Sequence, residues 1–143
     1  MKLLIASDHA GFLLKEQIKC EFSEIFEFED LGSFSEESVD YPDYIHPLAY
    51  KISENPKQLG IIICGSGNGV SMTANKHPNV RAALCWDQEI AELARKHNNA
   101  NILSLPARFV SKELAFEICR SFFTTDFEGG RHLVRVEKIN LPK

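Results

Sequence analysis

Residues 61–69 read IIICGSGNG, an uninterrupted apolar run that is followed by three closely spaced glycines. An apolar run of this kind is typical of a strand that is covered on both faces, as the strands of a parallel sheet are. Glycines that follow such a strand permit positive φ angles and let a ligand approach the backbone closely. The stretch therefore predicts a buried strand that leads into a ligand-binding turn and then into a helix.

Short apolar runs alternate with amphipathic stretches on both sides of this segment. The other runs are residues 3–6, 27–31, 82–86 and 102–105, and the second of them alternates phenylalanine with glutamate in the manner of an edge strand. Apolar residues spaced three or four apart predict helices over residues 11–24, after Asp40, before residues 97–99 and after Ser111, with a short helix after Gly69.

Strands separated by helices predict a single α/β domain over residues 1–143, a three-layer sandwich with a five-stranded parallel sheet and right-handed crossovers. We expect the flavodoxin/Rossmann-like strand order 2-1-3-4-5, in which a ligand crevice opens between the C-terminal ends of strands 1 and 3. Residues 124–143 remain as a basic C-terminal tail, which we expect to pack on a partner subunit.

Composition argues against several classes of protein. The chain carries a net charge of -4, whereas nucleic-acid-binding proteins normally have a basic excess. No apolar run approaches the roughly 18–20 residues that span a bilayer, and the apolar start meets Asp8 too soon for a secretion signal. The four cysteines are widely spaced and show no metal-binding pattern. We therefore expect a reduced, cytoplasmic protein that binds neither nucleic acid nor membrane.

The predicted crevice brings together the loop that starts with Asp8 and His9 and the loop that starts with Cys64. The second loop is neither a Walker A loop nor a dinucleotide fingerprint, and a phosphatase loop would need arginine where Val70 stands. It suits a small oxyanion held by backbone N–H groups, beside a thiol. A carboxylate and an imidazole that face it suit proton transfer or phosphate binding. Cys64 as a structural thiol, Asp8 as a helix cap and His9 as a packed histidine remain alternatives.

Two further groups have ordinary structural explanations beside a functional one. His97 continues an apolar helix stripe, and its helix should end at the sheet edge opposite to the crevice, so a catalytic His97 has to serve another subunit. Arg131 and Arg135 share one face if the tail is helical and can then bind a phosphate, as can Arg108. All three arginines also suit a solvated surface.

The remaining cysteines are predicted to be structural. Cys20 and Cys119 fall on helix stripes and Cys85 lies in a strand, so we expect all three in the core. A zinc site made of Cys64, Cys85 and His97 stays open, although no pair of these residues has metal-ligand spacing.

Six motifs, taken together, resemble the ribose-5-phosphate isomerase B family, whose superfamily includes isomerases of allose and galactose phosphates. They are SDHAGF at residues 7–12, DYP at 40–42, CGSGNG at 64–69, ANK at 74–76, HN at 97–98 and EGGRH at 128–132. The motifs cover nearly the whole chain and keep the family's order and separation. Each alone is weak, and their combination is specific.

The resemblance implies an aldose–ketose isomerase that needs no metal and no other cofactor. It interconverts ribose 5-phosphate and ribulose 5-phosphate through a cis-enediolate, and Cys64 is the base that moves a proton between C1 and C2. Ser66 and the N–H groups of the loop stabilise the enediolate oxygens. The loop residues with this role are Gly65, Gly67, Asn68 and Gly69.

The resemblance also assigns the rest of the site. Asp8 and His97 assist the opening of the furanose ring, and Asn98 holds a substrate hydroxyl. The phosphate is bound by His9, Arg131 and Arg135, with Arg108 as a further candidate. Because His97 is expected at the opposite sheet edge, we expect a homodimer, or a dimer of dimers, whose active sites are shared between subunits.

The sequence departs in two respects from patterns found in the family, and it leaves alternatives open. Ser66 stands where many members have threonine, which keeps the hydroxyl. Some members replace the cysteine and use a glutamate where Val70 stands, so Cys64 indicates the thiol version. Isomerisation of a six-carbon sugar phosphate is the alternative activity. A non-enzymatic sugar-phosphate sensor would need the arginines but not Cys64, and a flavodoxin-like nucleotide binder would need an aromatic platform at the glycine loop.

Overall fold

Five parallel strands and six helices make up the part of the chain that the computed structural model describes, residues 1–142. In chain order they are β1 (Lys2–Ser7), α1 (Phe12–Glu21), β2 (Glu27–Asp30), α2 (Tyr41–Glu54), β3 (Leu59–Cys64), α3 (Asn68–Ala74), β4 (Ala82–Leu84), α4 (Gln88–Lys96), β5 (Ile102–Pro106), α5 (Lys112–Thr124) and α6 (Arg131–Glu137). The predicted α/β class with a five-stranded parallel sheet is confirmed. None of the helices in this range combines the length and the apolar character that a bilayer crossing requires.

The strand order is β2-β1-β3-β5-β4, so the predicted order 2-1-3-4-5 was wrong at one edge. β5 pairs with β3 along its whole length and is entirely buried, whereas the three residues of β4 are all half-buried. A short, partly exposed strand suits the edge of a sheet. Both strands are apolar, so their composition did not show which of the two lies at the edge of the sheet. The exchange leaves β1 beside β3, where the crevice is predicted.

Alternate residues of the central strands face two separate layers of helices. Leu3 and Ile5 of β1 pack with α1, α4 and α5, whereas Leu4 and Ala6 pack with α2 and α3. This alternation follows from the two-residue period of a strand, and it produces the predicted three-layer sandwich. Cys64, at the end of β3, belongs to the side that α2 and α3 cover.

Helix α1 is shorter than predicted and exposes one cysteine that we expected in the core. The helix ends at Glu21, and Phe22 follows it as a buried C-cap. Cys20 is exposed because it lies two positions after the buried Ile18, and two residues rotate a helix by about 200°. Cys85, which directly follows β4, and Cys119 are buried as predicted.

The C-terminal tail returns to the end of α4. The N–H of Glu128 donates a hydrogen bond to the carbonyl of Lys96 at 3.1 Å, and α6 begins shortly afterwards. Arg131 and Arg135 are exposed on α6, as are Leu133 and Val134. Packing of this tail on a partner subunit stays a prediction.

Candidate active site

A cavity of about 540 Å³ opens at the ends of the neighbouring strands β1 and β3, and we call it the β1/β3 cavity. The predicted site residues among its lining are Asp8, His9, Cys64, Gly65, Ser66, Gly69 and Arg108, and Ala10, Tyr41 and Phe109 complete it. The loops that follow two neighbouring parallel strands reach the same edge of a sheet, which is why these residues meet.

Cys64 ends β3 and brings a nearly buried thiol to the β1/β3 cavity. Its side chain belongs to the core beneath α2 and α3, and the residue is only 5% exposed. The N–H of Gly67 donates a hydrogen bond to the Cys64 sulfur at 3.1 Å. Such a donor fixes the position of the sulfur and stabilises negative charge on it, and the thiolate is the reactive form of cysteine.

Gly67 makes this hydrogen bond possible through a backbone conformation that favours glycine. Its φ of 75° lies in the left-handed region, and a Cβ at this position would collide with the side chain of Leu84. The carbonyl of Gly67 accepts hydrogen bonds from Oγ of Ser104 at 2.9 Å and from Oγ of Ser71 at 2.7 Å. These two bonds hold the turn that aims the N–H at the sulfur.

Ser66 offers a hydroxyl donor beside the thiol. Its Oγ accepts a hydrogen bond from the N–H of Asn68 at 3.3 Å, which leaves the hydroxyl hydrogen available for a bound oxyanion. The side chain of Asn68 is exposed and does not line the cavity. At Gly69, a Cβ would come within 2.8 Å of the hydroxyl of Tyr41, so glycine here lets Tyr41 cover the start of α3.

Asp8 closes the turn before α1 and lines the cavity at the same time. Its Oδ1 accepts a hydrogen bond from the N–H of Gly11 at 3.0 Å, which closes the turn that leads to α1. The residue is 7% exposed, and it forms part of the cavity wall. The N-cap of α1 is Gly11, so the alternative that Asp8 is the helix cap was wrong, and its bond to Gly11 is compatible with a role in binding.

His9 is held by a long-range hydrogen bond that defines its tautomer. Its Nδ1 accepts from the N–H of Val39 at 3.1 Å. A neutral imidazole that accepts at Nδ1 carries its proton at Nε2, which is then available to donate. The loop that contains Val39 is anchored by the fully buried Lys15, whose Nζ lies 2.7 Å from both the Asp30 carboxylate and the carbonyl of Ser33.

Arg108 places a positive charge over the glycine loop. The backbone N–H of Arg108 donates a hydrogen bond to the carbonyl of Gly65 at 3.0 Å. The Arg108 side chain lies so close to Gly65 that a Cβ on the glycine would be 3.2 Å from it. The guanidinium lines the β1/β3 cavity, where it can form charge-assisted hydrogen bonds with an anionic group.

Besides Gly67 and Asn68, which belong to the glycine loop without lining the cavity, four predicted site residues lie away from it in the same subunit. His97 is the C-cap of α4, a helix that runs back to the edge of the sheet where β5 begins. Asn98 lines a separate cavity of about 300 Å³ together with Arg81 and Ile139. Arg131 and Arg135 lie on α6. The sheet topology had predicted this separation for His97.

His97 stacks on a histidine that sequence reasoning did not select. The rings of His97 and His132 are 4.3 Å apart at an angle of 12°, and Nε2 of His132 lies 3.6 Å from the Glu128 carboxylate. Burial and the neighbouring His97 both lower the pKa of His132. Within residues 1–142, His97 shares its metal-ligand cluster with Glu128 and His132 and not with Cys64 and Cys85, so the zinc site considered from the sequence is not formed.

Sequence reasoning also missed Tyr41, Val39 and Phe109 as parts of the site. Tyr41 had a usable signal, because α2 follows β2 and therefore starts at the sheet edge where the other two loops lie. Val39 acts through its backbone N–H, which any residue except proline provides, so its side chain carries no signal.

The fold and the cavity define an α/β protein with a small-molecule site at the switch point of its sheet. A profile of the ribose/galactose isomerase family matches residues 3–139. Ribose-5-phosphate isomerase B of Escherichia coli K12 is 40% identical over 139 residues, which cover 96% of this chain and 93% of the relative. The chain belongs to the ribose/galactose isomerase family.

Solved structures of relatives have the same fold. The crystal structure of a ribose 5-phosphate isomerase from Thermotoga maritima matches with a TM-score of 0.93 and 51% identity over 97% of both chains. Ribose-5-phosphate isomerase B from Mycoplasma genitalium, with bound ribulose-5-phosphate, matches with a TM-score of 0.92 and 43% identity over 96% of this chain and 93% of that one.

Proposed function

We propose that this chain is an aldose–ketose isomerase that interconverts ribose 5-phosphate and ribulose 5-phosphate. The observation that carries the proposal is the thiol of Cys64, which lines the β1/β3 cavity and accepts the N–H of Gly67. Family membership and the ribulose-5-phosphate bound to the Mycoplasma genitalium relative support this substrate. The reaction moves protons only, so a positioned base and oxyanion donors supply the chemistry it needs.

In the proposed mechanism, the thiolate of Cys64 removes the proton from C2 of the open-chain aldose. The electron pair of the C–H bond forms the C1–C2 double bond, and the former C1 carbonyl becomes an enediolate oxygen. The proton returns to C1 while the hydroxyl proton of O2 moves to O1, which leaves the ketone at C2. The hydroxyl of Ser66 and the N–H groups of the loop stabilise the enediolate charge without a metal ion. The N–H groups of Gly67 and Asn68 are not counted among these donors, because they bond to the Cys64 sulfur and to Oγ of Ser66.

The sugar must be linear before this step, and its phosphate must be held. We assign ring opening to Asp8 of one subunit and His97 of the partner subunit, which move a proton between the ring oxygen and the anomeric hydroxyl. His9 donates to the phosphate through Nε2–H, and Asn98 holds a substrate hydroxyl. The positive charge around the phosphate comes from Arg108, Arg131 and Arg135.

We infer a homodimer, or a dimer of dimers, because the proposed residues are divided between two edges of the sheet. A two-fold axis that brings His97 to the β1/β3 cavity of the partner creates two equivalent sites. The exposed Leu133 and Val134 give α6 an apolar surface that a second copy can cover. All four cysteines are free, which suits the reducing cytoplasm as the proposed location.

Coupled assays with ribose 5-phosphate, allose 6-phosphate and galactose 6-phosphate test the proposed substrate. We expect the highest kcat/KM with ribose 5-phosphate. Cys64→Ala should lower kcat roughly 100- to 10,000-fold, the usual cost of losing a positioned base, while the exposed-site control Cys20→Ala keeps its activity. Preference for a six-carbon sugar, or near-normal turnover by Cys64→Ala, would contradict the proposal.

A further inference from the structure

The end of α4 and the start of the tail bring together three side chains of the kind that bind metal ions. We call His97, Glu128 and His132 the tail cluster, and their potential ligand atoms all lie within 4.8 Å of one another. His132 is buried, His97 is half-buried and Glu128 is exposed. The cluster is therefore open to solvent on one side.

The backbone holds these residues in place although they are distant in the sequence. The N–H of His97 bonds to the carbonyl of Leu93 at 2.9 Å, and the N–H of His132 bonds to the carbonyl of Gly129 at 3.1 Å. The bond from Glu128 to Lys96 ties the tail to α4. The backbone thus holds the two residues beside each other. Their rings lie stacked, so one imidazole has to turn for both nitrogen lone pairs to point at one ion.

Two imidazoles and one carboxylate form a ligand set that favours zinc and similar transition-metal ions. Ligand bonds of about 2.0–2.2 Å to a tetrahedral ion bring the donor atoms to roughly 3.4 Å from one another. The observed spread is wider, so metal binding requires side-chain rotations, for which the exposed Glu128 has room. The positive charge of Arg131, which lies on α6 beside His132, repels cations. Ions that bind such ligands weakly, such as Mg²⁺, should therefore not occupy the cluster.

We propose that the tail cluster is an inhibitory binding site for a divalent transition-metal ion, with Zn²⁺ as the probe. The inhibitory part rests on the proposed function, in which His97 serves the active site of the partner subunit. A metal ion bound by His97 keeps its imidazole from the substrate. Catalysis is metal-free in this scheme, and the ion acts as a negative regulator at a site that contains neither Cys64 nor Asp8.

A second pair of histidines provides a matched control. Nδ1 of His46 and Nε2 of His77 are 2.8 Å apart on the surface, and no carboxylate joins them in a ligand cluster within residues 1–142. If any two neighbouring imidazoles were enough, this pair would bind Zn²⁺ equally well.

Calorimetric titration with Zn²⁺ tests binding directly and does not depend on turnover. We expect Glu128→Gln and His132→Gln each to weaken binding at least 10- to 100-fold, a loss that even outer-shell changes can cause. His77→Gln and Cys64→Ala should bind Zn²⁺ like the wild type. Equal binding by the wild type and both cluster variants, or loss of binding in either control, would overturn the site.

Activity measurements then test inhibition. Zn²⁺ should lower the turnover of the wild type and of His77→Gln, a chelator should restore it, and Mg²⁺ should have no effect. Glu128→Gln should keep its metal-free turnover and lose the inhibition, whereas His132→Gln is assessed by calorimetry alone, because its ring stacks on the proposed catalytic residue His97. Binding without inhibition would overturn the regulatory role alone. The bound Co²⁺ spectrum should show nitrogen and oxygen ligands, and a thiolate charge-transfer band would move the site to a cysteine and contradict the proposal.

Discussion

The four cysteines have different surroundings, and we expect them to differ in reactivity. The Cys64 sulfur accepts a hydrogen bond from the N–H of Gly67 and lines the β1/β3 cavity, and Cys20 is exposed on α1. Burial, together with the charge of Asp87, raises the pKa of Cys85 to about 12, and burial also raises the pKa of Cys119. Cys85 and Cys119 are therefore expected to be less reactive than the other two cysteines.

This contrast predicts the pattern of alkylation. Under native conditions near neutral pH, iodoacetamide should modify Cys20 and Cys64 and leave Cys85 and Cys119 unmodified, as mass spectrometry of the peptides can show. Loss of activity should follow modification of Cys64, and ribose 5-phosphate should protect Cys64 but not Cys20. Inactivation that follows Cys20 would remove the thiol of Cys64 from the proposed mechanism.

Gly67 is the residue whose conformation determines the geometry at the sulfur. Gly67→Ala places a Cβ in a left-handed conformation and against Leu84, so we expect a loss of roughly 2–4 kcal/mol in the free energy of unfolding together with reduced activity. The control is Gly129→Ala, whose φ is also positive at 70° but where a Cβ meets open space. It should cost only about 1 kcal/mol. If urea denaturation shows the same loss of unfolding free energy for both variants, the structure relieves the clash between the new Cβ and Leu84.

At the scale of elements, the loop between β2 and α2 positions His9 through an ion-pair network. Burial acts to raise the pKa of Asp30, but hydrogen bonds from Lys15 and Lys19 outweigh burial, and the pKa lies below its usual value. A carboxyl with a lowered native pKa stabilises the fold above its unfolded-state pKa, and this stabilisation is lost as the pH falls through the native value.

The network predicts a specific pH dependence of stability. The free energy of unfolding should be insensitive to Asp30 above pH 5 and should decline as the pH falls below about 4, where an unfolded aspartate binds its proton. Urea denaturation across this range should show a steeper decline for the wild type than for Asp30→Asn. Asp43→Asn, at an exposed aspartate, should retain the decline of the wild type. Parallel curves for the wild type and Asp30→Asn would show that the network contributes no pH dependence.

Elements were predictable from the sequence where burial imposes a pattern. Strands β1, β3 and β5 and helices α1, α2, α4 and α5 bury a stripe or a face, so their apolar patterns located them. The switch-point rule placed Asp8 and Cys64 together. The order of β4 and β5 depends on how far each strand is buried, which two similar apolar runs do not reveal. The tail cluster depends on a loop that returns Glu128 and His132 to α4, and local sequence carries no signal for such a contact.

At the scale of the whole molecule, the proposed site is divided by the direction of the chain. Parallel strands deliver Cys64 and Asp8 to one edge of the sheet, and each helix returns to the other edge, where α4 ends at His97. The C-terminal tail reaches the same edge of the sheet, since the backbone N–H of Glu128 bonds to the carbonyl of Lys96, the last residue of α4. One subunit therefore holds the two halves of the proposed site apart, and we propose that a second subunit completes it.

Mixing inactive subunits tests this division. In a heterodimer of Cys64→Ala and His97→Ala subunits, one site carries both substitutions and the other carries neither. Random exchange at equal concentrations should therefore restore about a quarter of the wild-type activity, since half of the dimers hold one intact site. Mixing Cys64→Ala with Asp8→Ala is the matched control and should restore none, because both residues come from the same half. No recovery in the first mixture, with exchange verified by mass spectrometry, would contradict a shared site.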